Sequence, residues 1–213
     1  MSKNICYIIG AGTNYGLDFA VTDSDYVIAA DGGLDHIHKQ GIIADLCIGD
    51  FDSATGKPTG EVITLDRDKD YTDTFEAIRK GMELGYECFH IYCGTGGRFD
   101  HTFANIQALG FLSRNGKQGY LVGHDYVVTA VAGGGISFDA GCRGVISVFS
   151  FSDKASGVCL KGLRYDLDDY CLASTLPIGV SNEFTGARST ISVDDGTLVV
   201  IFPRECLSRA VQI

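Results

Sequence analysis

The sequence predicts an α/β N-terminal domain with a mainly parallel sheet, plus an all-β, sandwich-like C-terminal domain. Three observations predict it. Short apolar runs alternate with helix-period segments in the first half, the pattern of strands joined by helices that cover both faces of a sheet. From about Tyr126 onward, alternating segments punctuated by glycine take over, and no helix pattern of useful length follows Arg114. The 213 residues include only 3 prolines and no linker-like stretch, so two modest, closely packed domains, 1–125 and 126–213, account for the length.

The elements follow in order. Ile5–Ile9, Tyr26–Ala30, Leu46–Ile48, Val62–Leu65, Cys88–Cys93 and Tyr120–Val122 read as buried strands. Between them Asp73–Leu84 reads as a helix: Phe75, Ile78 and Met82 make an apolar stripe, Asp73 and Glu76 a capping pair, and Gly85 the stop. Asp100–Arg114 is similar, with Asp100 as N-cap, Phe103, Ile106 and Leu109 or Gly110 facing in, and Gly116 beyond the end. In the second half, Val127–Val131, Gly135–Phe138, Val145–Phe151, Val158–Leu160, Thr190–Val193 and Leu198–Phe202 read as strands, with Asp194-Asp195-Gly196 as a turn between the last two.

Composition narrows the function. A net charge of −10 disfavours a nucleic-acid backbone or an anionic membrane surface as partner. The start of the chain, one Lys and a short apolar run broken at Gly10, is too short for a signal peptide, and no stretch approaches the length of a membrane span. The eight cysteines are therefore expected as reduced, buried thiols of a cytoplasmic protein, with no C-x-x-C pair to suggest zinc or a redox couple. Between Asp31 and Asp73 lie ten carboxylates against four Lys and Arg. Aspartate favours caps and turns, so these read as loop-borne carboxylates gathered at one end of a sheet, where they repel unless a cation joins them.

The residues able to do chemistry sit in the same places. Gly49-Asp50-Phe51-Asp52-Ser53 follows a strand and puts two carboxylates at i and i+2, which share one metal only if the chain turns between them. Asp31 ends another strand, and Asp70-Tyr71-Thr72-Asp73 opens a helix after a third. Carboxylates beyond the carboxyl ends of parallel strands are where ligands bind in such sheets. Oxygen ligands favour Mg2+ or Mn2+ over zinc, and Mg2+ usually shares its shell with substrate phosphates. Gly94-Thr95-Gly96-Gly97-Arg98 offers a glycine loop and an Arg for phosphate before the helix at Asp100, and Lys69 adds a second cation. Gly10-Ala11-Gly12-Thr13 lacks dinucleotide-fingerprint spacing and reads as a tight turn near a ligand.

Taken together, Ala30-Asp31-Gly32-Gly33, the stretch Gly41 to Ser53, Asp68-Lys69-Asp70-Tyr71-Thr72-Asp73 and the stretch Gly96 to Ile106 resemble the successive motifs of the thiamine pyrophosphokinase family, in order and spacing. Gly162-Leu163-Arg164-Tyr165, Gly179-Val180-Ser181-Asn182-Glu183-Phe184 and Gly196 to Ile201 resemble that family's thiamine-binding β domain. The resemblance covers nearly the whole chain. It implies transfer of pyrophosphate from ATP to the hydroxyethyl group of thiamine, giving thiamine diphosphate and AMP. By the same resemblance Asp50, Asp52 and Asp73 are the Mg2+ and catalytic candidates, with Asp31 and Asp45 close by. Lys69 and Arg98 are expected at the phosphates, Asp31 and Asp70 in the same cofactor site, Asp100, His101 and Asn105 at the nucleotide, and Ser181 and Asn182 at thiamine across a homodimer interface. Two departures stand out: Asp166 occupies a position where Pro is common in the family, and the chain has no Trp. Two alternatives keep parts of this picture: a pyrophosphokinase acting on a hydroxymethyl-pterin, and a non-catalytic nucleotide or thiamine binder.

Overall fold

A computed structural model describes residues 4–51, 56–58, 60–66, 68 and 70–213. The chain divides into two units, Met1–Ala108 with Leu121–Gly123, and Leu109–Tyr120 with His124–Ile213.

The first unit contains β1 (Ile5–Ile9), β2 (Tyr26–Ala30), α1 (Gly33–Gln40), β3 (Leu46–Gly49), β4 (Glu61–Thr64), α2 (Asp73–Glu83) and β5 (Cys88–Tyr92). Its strands are all parallel, in the order β5-β1-β2-β3-β4. β1, β2, β3 and β5 are nearly continuous apolar runs because helices cover a parallel sheet on both faces. β4 departs from the buried strand expected: Val62 is 45% exposed, since an edge strand has a neighbour on one side only.

Helix starts differ by a residue or two from expectation, for reasons visible in the caps. α2 is capped by Thr72, whose Oγ1 accepts from Phe75 N at 3.2 Å, so Asp73 lies in the first turn and Glu76 bonds to Arg79 instead. α3 (Phe99–Arg114) begins one residue before Asp100, which therefore is not its N-cap. Its buried stripe runs through Asn105, Ala108, Leu109 and Leu112, whereas Phe103, expected inward, is 49% exposed. A polar residue at an inward position shifts the apparent stripe, and Asn105 is inward because it bonds the loop after β5. α1 was not singled out in the sequence, since Leu34 and Ile37 are its only large buried side chains. α3 and β6 (Gln118–Val122) run across the division between units.

The second unit comprises β7 (Tyr126–Phe138), β8 (Val145–Ser150), β9 (Lys154–Lys161), β10 (Leu167–Ala173), β11 (Asn182–Glu183), β12 (Ser189–Pro203), a 3-10 turn Arg204–Arg209 and β13 (Ala210–Gln212). The strand pairs among β7 to β13 are antiparallel. Four of the expected strands fuse into two long ones. The supposed Asp194-Asp195-Gly196 turn is a bulge inside β12: Val193 pairs with Gly134 and Thr197 with Ala132, so the three residues between oppose Gly133 alone. At this bulge β12 leaves β9 for β8, which divides the strands into two groups sharing one long strand. Phe138 anchors the core, its ring 4.9 Å from that of Phe202 and 5.1 Å from that of Phe184, both edge-on. All eight cysteines are thiols. Six are buried, but Cys171 is exposed on β10, an edge strand whose Asp-rich run hid it from sequence reading.

Candidate active site

In the first unit a cavity of about 870 Å³ opens beyond the carboxyl ends of β1, β2 and β5, between the starts of α2 and α3. β1 is the switch point of the sheet, because the chain leaves it toward β2 on one side and returns later as β5 on the other. A crevice forms where connections diverge in this way.

Two loops make the cavity's floor. After β1, Gly10 N donates to Tyr92 O (2.9 Å), Gly12 N to Cys93 O (2.7 Å) and Thr13 N to Thr95 O (3.0 Å). A side chain at position 12 would put its Cβ 2.6 Å from Cys93 O and 2.7 Å from Thr95 O, so only glycine allows this approach. His36 Nε2 lies 2.9 Å from Gly12 O; a carbonyl only accepts, so that nitrogen carries the proton and ties α1 to the loop. After β5, Asn105, 6% exposed, donates from Nδ2 to Gly94 O at 2.7 Å. Gly96 and Gly97 follow with φ of 80° and 66°, a left-handed pair immediately before α3. Glycine amides unhindered by side chains beside a helix N-terminus suit an anion. Thr95 is buried at 1% exposure, and its Oγ1 has no hydrogen-bond partner among the described residues.

The carboxylates divide between the two ends of the sheet. Asp31, with φ of 49°, is the first residue past β2; it and Asp73, the first residue of α2, line the cavity, and each has its Oδ1 buried. Asp70 lines the same wall and is exposed. Asp50 follows β3 next to Asp31, whose N donates to Ile48 O at 2.9 Å, but Asp50 itself is not in the cavity wall. Phe51 has φ of 55°, in the left-handed region; Asp52 and Lys69 lie outside the described residues. Asp45 is not with this group: it precedes β3, at the amino ends, where its Oδ2 accepts from Val27 N at 2.8 Å. No group of three or more His, Cys, Asp or Glu able to hold a metal occurs among the described residues. Two buried carboxylate oxygens on the wall suit Mg2+, which is commonly held by one or two carboxylates and completed by phosphates.

Arg98 and His101 also line the cavity. Arg98 grips Asp100 with two bonds, 2.6 and 3.2 Å, and His101 N donates to the same carboxylate at 3.0 Å. The hydrogen bond from Arg98 holds the Asp100 carboxyl below the usual carboxylate range and raises Arg98 in turn. Asp100 thus orients Arg98 and satisfies the first turn of α3.

In the second unit, Ser181 and Asn182 take different parts. Ser181 is exposed with φ of 59°, its N donating to Ser147 Oγ at 3.1 Å. Asn182 is 6% exposed: Oδ1 accepts from Tyr165 N (3.0 Å) and Glu183 N (2.9 Å), while Nδ2 donates to Tyr165 O (2.7 Å). Arg164 bonds both Glu183 oxygens at 3.0 Å and lies 5.4 Å from the Tyr165 ring centroid. The clamp presents Tyr165, 58% exposed, a residue that sequence reasoning did not single out. Tyr71 in the cavity wall was likewise passed over; an aromatic between two aspartates was its one signal.

Comparison with known proteins places this geometry. The family model described as thiamin pyrophosphokinase, catalytic domain, matches residues 18–120, and that described as thiamin pyrophosphokinase, vitamin B1 binding domain, matches residues 136–198. The thiamine pyrophosphokinase of Bacillus subtilis is 28% identical over 183 residues, 82% of this chain and 85% of that protein. Thiamin pyrophosphokinase 1 of Caenorhabditis elegans is 25% identical over 181 residues, 76% of this chain and 73% of that one. Crystal structures of thiamine pyrophosphokinases from Bacillus subtilis and Geobacillus thermodenitrificans superpose with TM-scores of 0.85 and 0.82, each at 25% identity, covering 94% and 95% of this chain and 99% and 100% of those chains. With both domain models matched in order along one chain, and the fold shared end to end with solved members, this protein belongs to the thiamin pyrophosphokinase family.

Proposed function

We propose that the chain transfers the pyrophosphoryl group of ATP to the hydroxyethyl oxygen of thiamine, yielding thiamine diphosphate and AMP. The observation that carries this reading is the match of a catalytic and a vitamin B1 binding domain in order, with the cavity lined by residues of the catalytic match from Ala30 to Asn105 and by Ala11, Gly12 and Thr13 just before it. In the reaction the hydroxyethyl oxygen bonds to the β-phosphorus, the bond from that phosphorus to the α-β bridging oxygen breaks, and AMP leaves with that oxygen. One of Asp50, Asp52 and Asp73 accepts the hydroxyl proton. The amides of Gly94 to Gly97 and the Arg98 guanidinium hold the transferring phosphates where charge develops, with Lys69 and Asp70 beside them. His101 and Asn105 shape the nucleotide side, Asn105 through the Gly94 carbonyl it fixes.

Asp50, Asp52 and Asp73, with Asp31 alongside, would hold Mg2+, which when bound neutralises the triphosphate. Ser181 meets thiamine, and Asn182 sets the position of Ser181 and Tyr165. A cytoplasmic homodimer completes the reading. Its dimer is supported by the exposed apolar side chains Leu176, Ile178 and Val180 leading into Ser181, and its location by eight thiols and by the absence, among the described residues, of a helix able to cross a membrane. AMP release measured with ATP plus thiamine, and with ATP plus a hydroxymethyl-pterin, tests the reading. Turnover with thiamine is expected; turnover with the pterin alone overturns it.

A further inference from the structure

We propose that Tyr71 is the platform on which the nucleobase of the bound nucleotide stacks, an inference that rests on the ATP reading above and names the residue that holds the base. Tyr71 lines the cavity yet is 51% exposed. Large exposed aromatic surface beside a cleft is unfavourable in water and becomes favourable when a flat ligand covers it. The ring is also held in place rather than loosely tethered. It sits next to Thr72, the cap of α2, with the Phe75 ring 5.2 Å away at 40°. The Arg79 guanidinium lies 5.5 Å from its centroid, and Arg79 is itself fixed by bonds of 2.9 and 3.2 Å to Glu76.

Two chemical classes of flat ligand belong to the proposed reaction, and the surroundings choose between them. A ring already engaged by a guanidinium is a poor partner for a second cation, which counts against the thiazolium of thiamine and leaves the two neutral rings, the nucleobase and the aminopyrimidine of thiamine. The vitamin B1 binding match, moreover, falls on residues 136–198, away from Tyr71 in sequence and in the other unit. Stacking reads the face of a base and not its edge, so Tyr71 contributes affinity for the nucleotide without selecting among bases.

The test is calorimetric titration of AMP and of inorganic tripolyphosphate into the full chain and three variants. Tyr71→Phe keeps the face; Tyr71→Leu keeps apolar packing on Phe75 but removes the face; Tyr71→Ala removes both. AMP affinity is expected to fall about tenfold in the Leu and Ala variants and to be retained in the Phe variant, from the usual range for base stacking. Tripolyphosphate affinity should be unchanged in all three. A Leu variant that binds AMP like the parent, or a loss shared equally by tripolyphosphate, overturns the platform. Thiamine takes no part in this titration, so a failure of transfer to thiamine does not obscure it. A parent chain that binds no AMP overturns the nucleotide reading together with the platform.

Discussion

In the first unit Asp31 and Asp73 bring buried carboxylate oxygens to the wall of a cavity at the strand ends, whereas in the second unit Asn182 directs its oxygen and nitrogen to the backbone of Tyr165 and Glu183. The charged pairs differ too. Arg98, paired with Asp100, lines the cavity, while Arg164 with Glu183 and Lys161 with Asp168 tie neighbouring strands and loops of the β unit. A parallel sheet leaves its polar loops at one end, with room between them for a ligand. An antiparallel sheet joined by short turns consumes its polar side chains in shaping those turns. Asn105 is the instructive exception in the first unit: it is as buried as Asn182, and like it serves a backbone carbonyl, that of Gly94.

The largest test of this contrast is Asp73→Asn. If the first unit's carboxylates act on the ligand, turnover measured by AMP release should fall about 10²–10³-fold, the range seen when one charge-stabilising group is removed from an active site, with the thermal melt little changed. Retained turnover would make Asp73 a helix-start residue only. Next comes the pair Ser181→Ala and Asn182→Ala. Removing the Asn182 side chain leaves Tyr165 N and O without their partner, so urea unfolding should show a loss of about 1–3 kcal/mol. Ser181→Ala should stay within about 0.5 kcal/mol of the parent and raise the KM for thiamine several-fold while that for ATP holds. Equal effects on both KM values would remove Ser181 from the acceptor site.

The smallest effect is expected from Asp100→Asn. The folded carboxyl titrates below its unfolded counterpart because of Arg98, so its contribution is present above the unfolded carboxylate range and is lost as pH falls through the folded value. Parent and variant should therefore differ most near neutral pH and converge as pH falls through the depressed folded value, with unfolding midpoints as the measure. Both side chains are exposed, so salt should shrink the difference. A difference that grows in acid would reverse the assignment.

Legibility followed burial. The runs Ile5–Ile9, Tyr26–Ala30 and Cys88–Tyr92 were readable because strands buried on both faces must be apolar throughout. Edge strands escaped or misled: β4 is more exposed than its apolar residues imply, and Leu167–Ala173 carries two aspartates on a strand that pairs with β9 alone. Asp194-Asp195-Gly196 carries every local sign of a turn, and only the long pairing with β7 makes it a bulge. The aspartate-rich stretch was legible as a cluster, but not its partition, since Asp31 and Asp45 are separated by one strand's length that sequence distance does not reveal.

By itself, the sequence determined the change from α/β to all-β pattern, the glycine loops, the carboxylate motifs and, through their order, the family. These depend on local chemistry: periodicity, backbone freedom at glycine and charge. The tertiary structure decided which carboxylates face one cavity, that Asp45 is not among them, that Asn182 holds backbone at Tyr165, and that Tyr71 stands half-exposed in the cavity wall. Each of those depends on which residues distant in the chain become neighbours, and parallel pairing across long crossovers sets that only once the sheet is assembled.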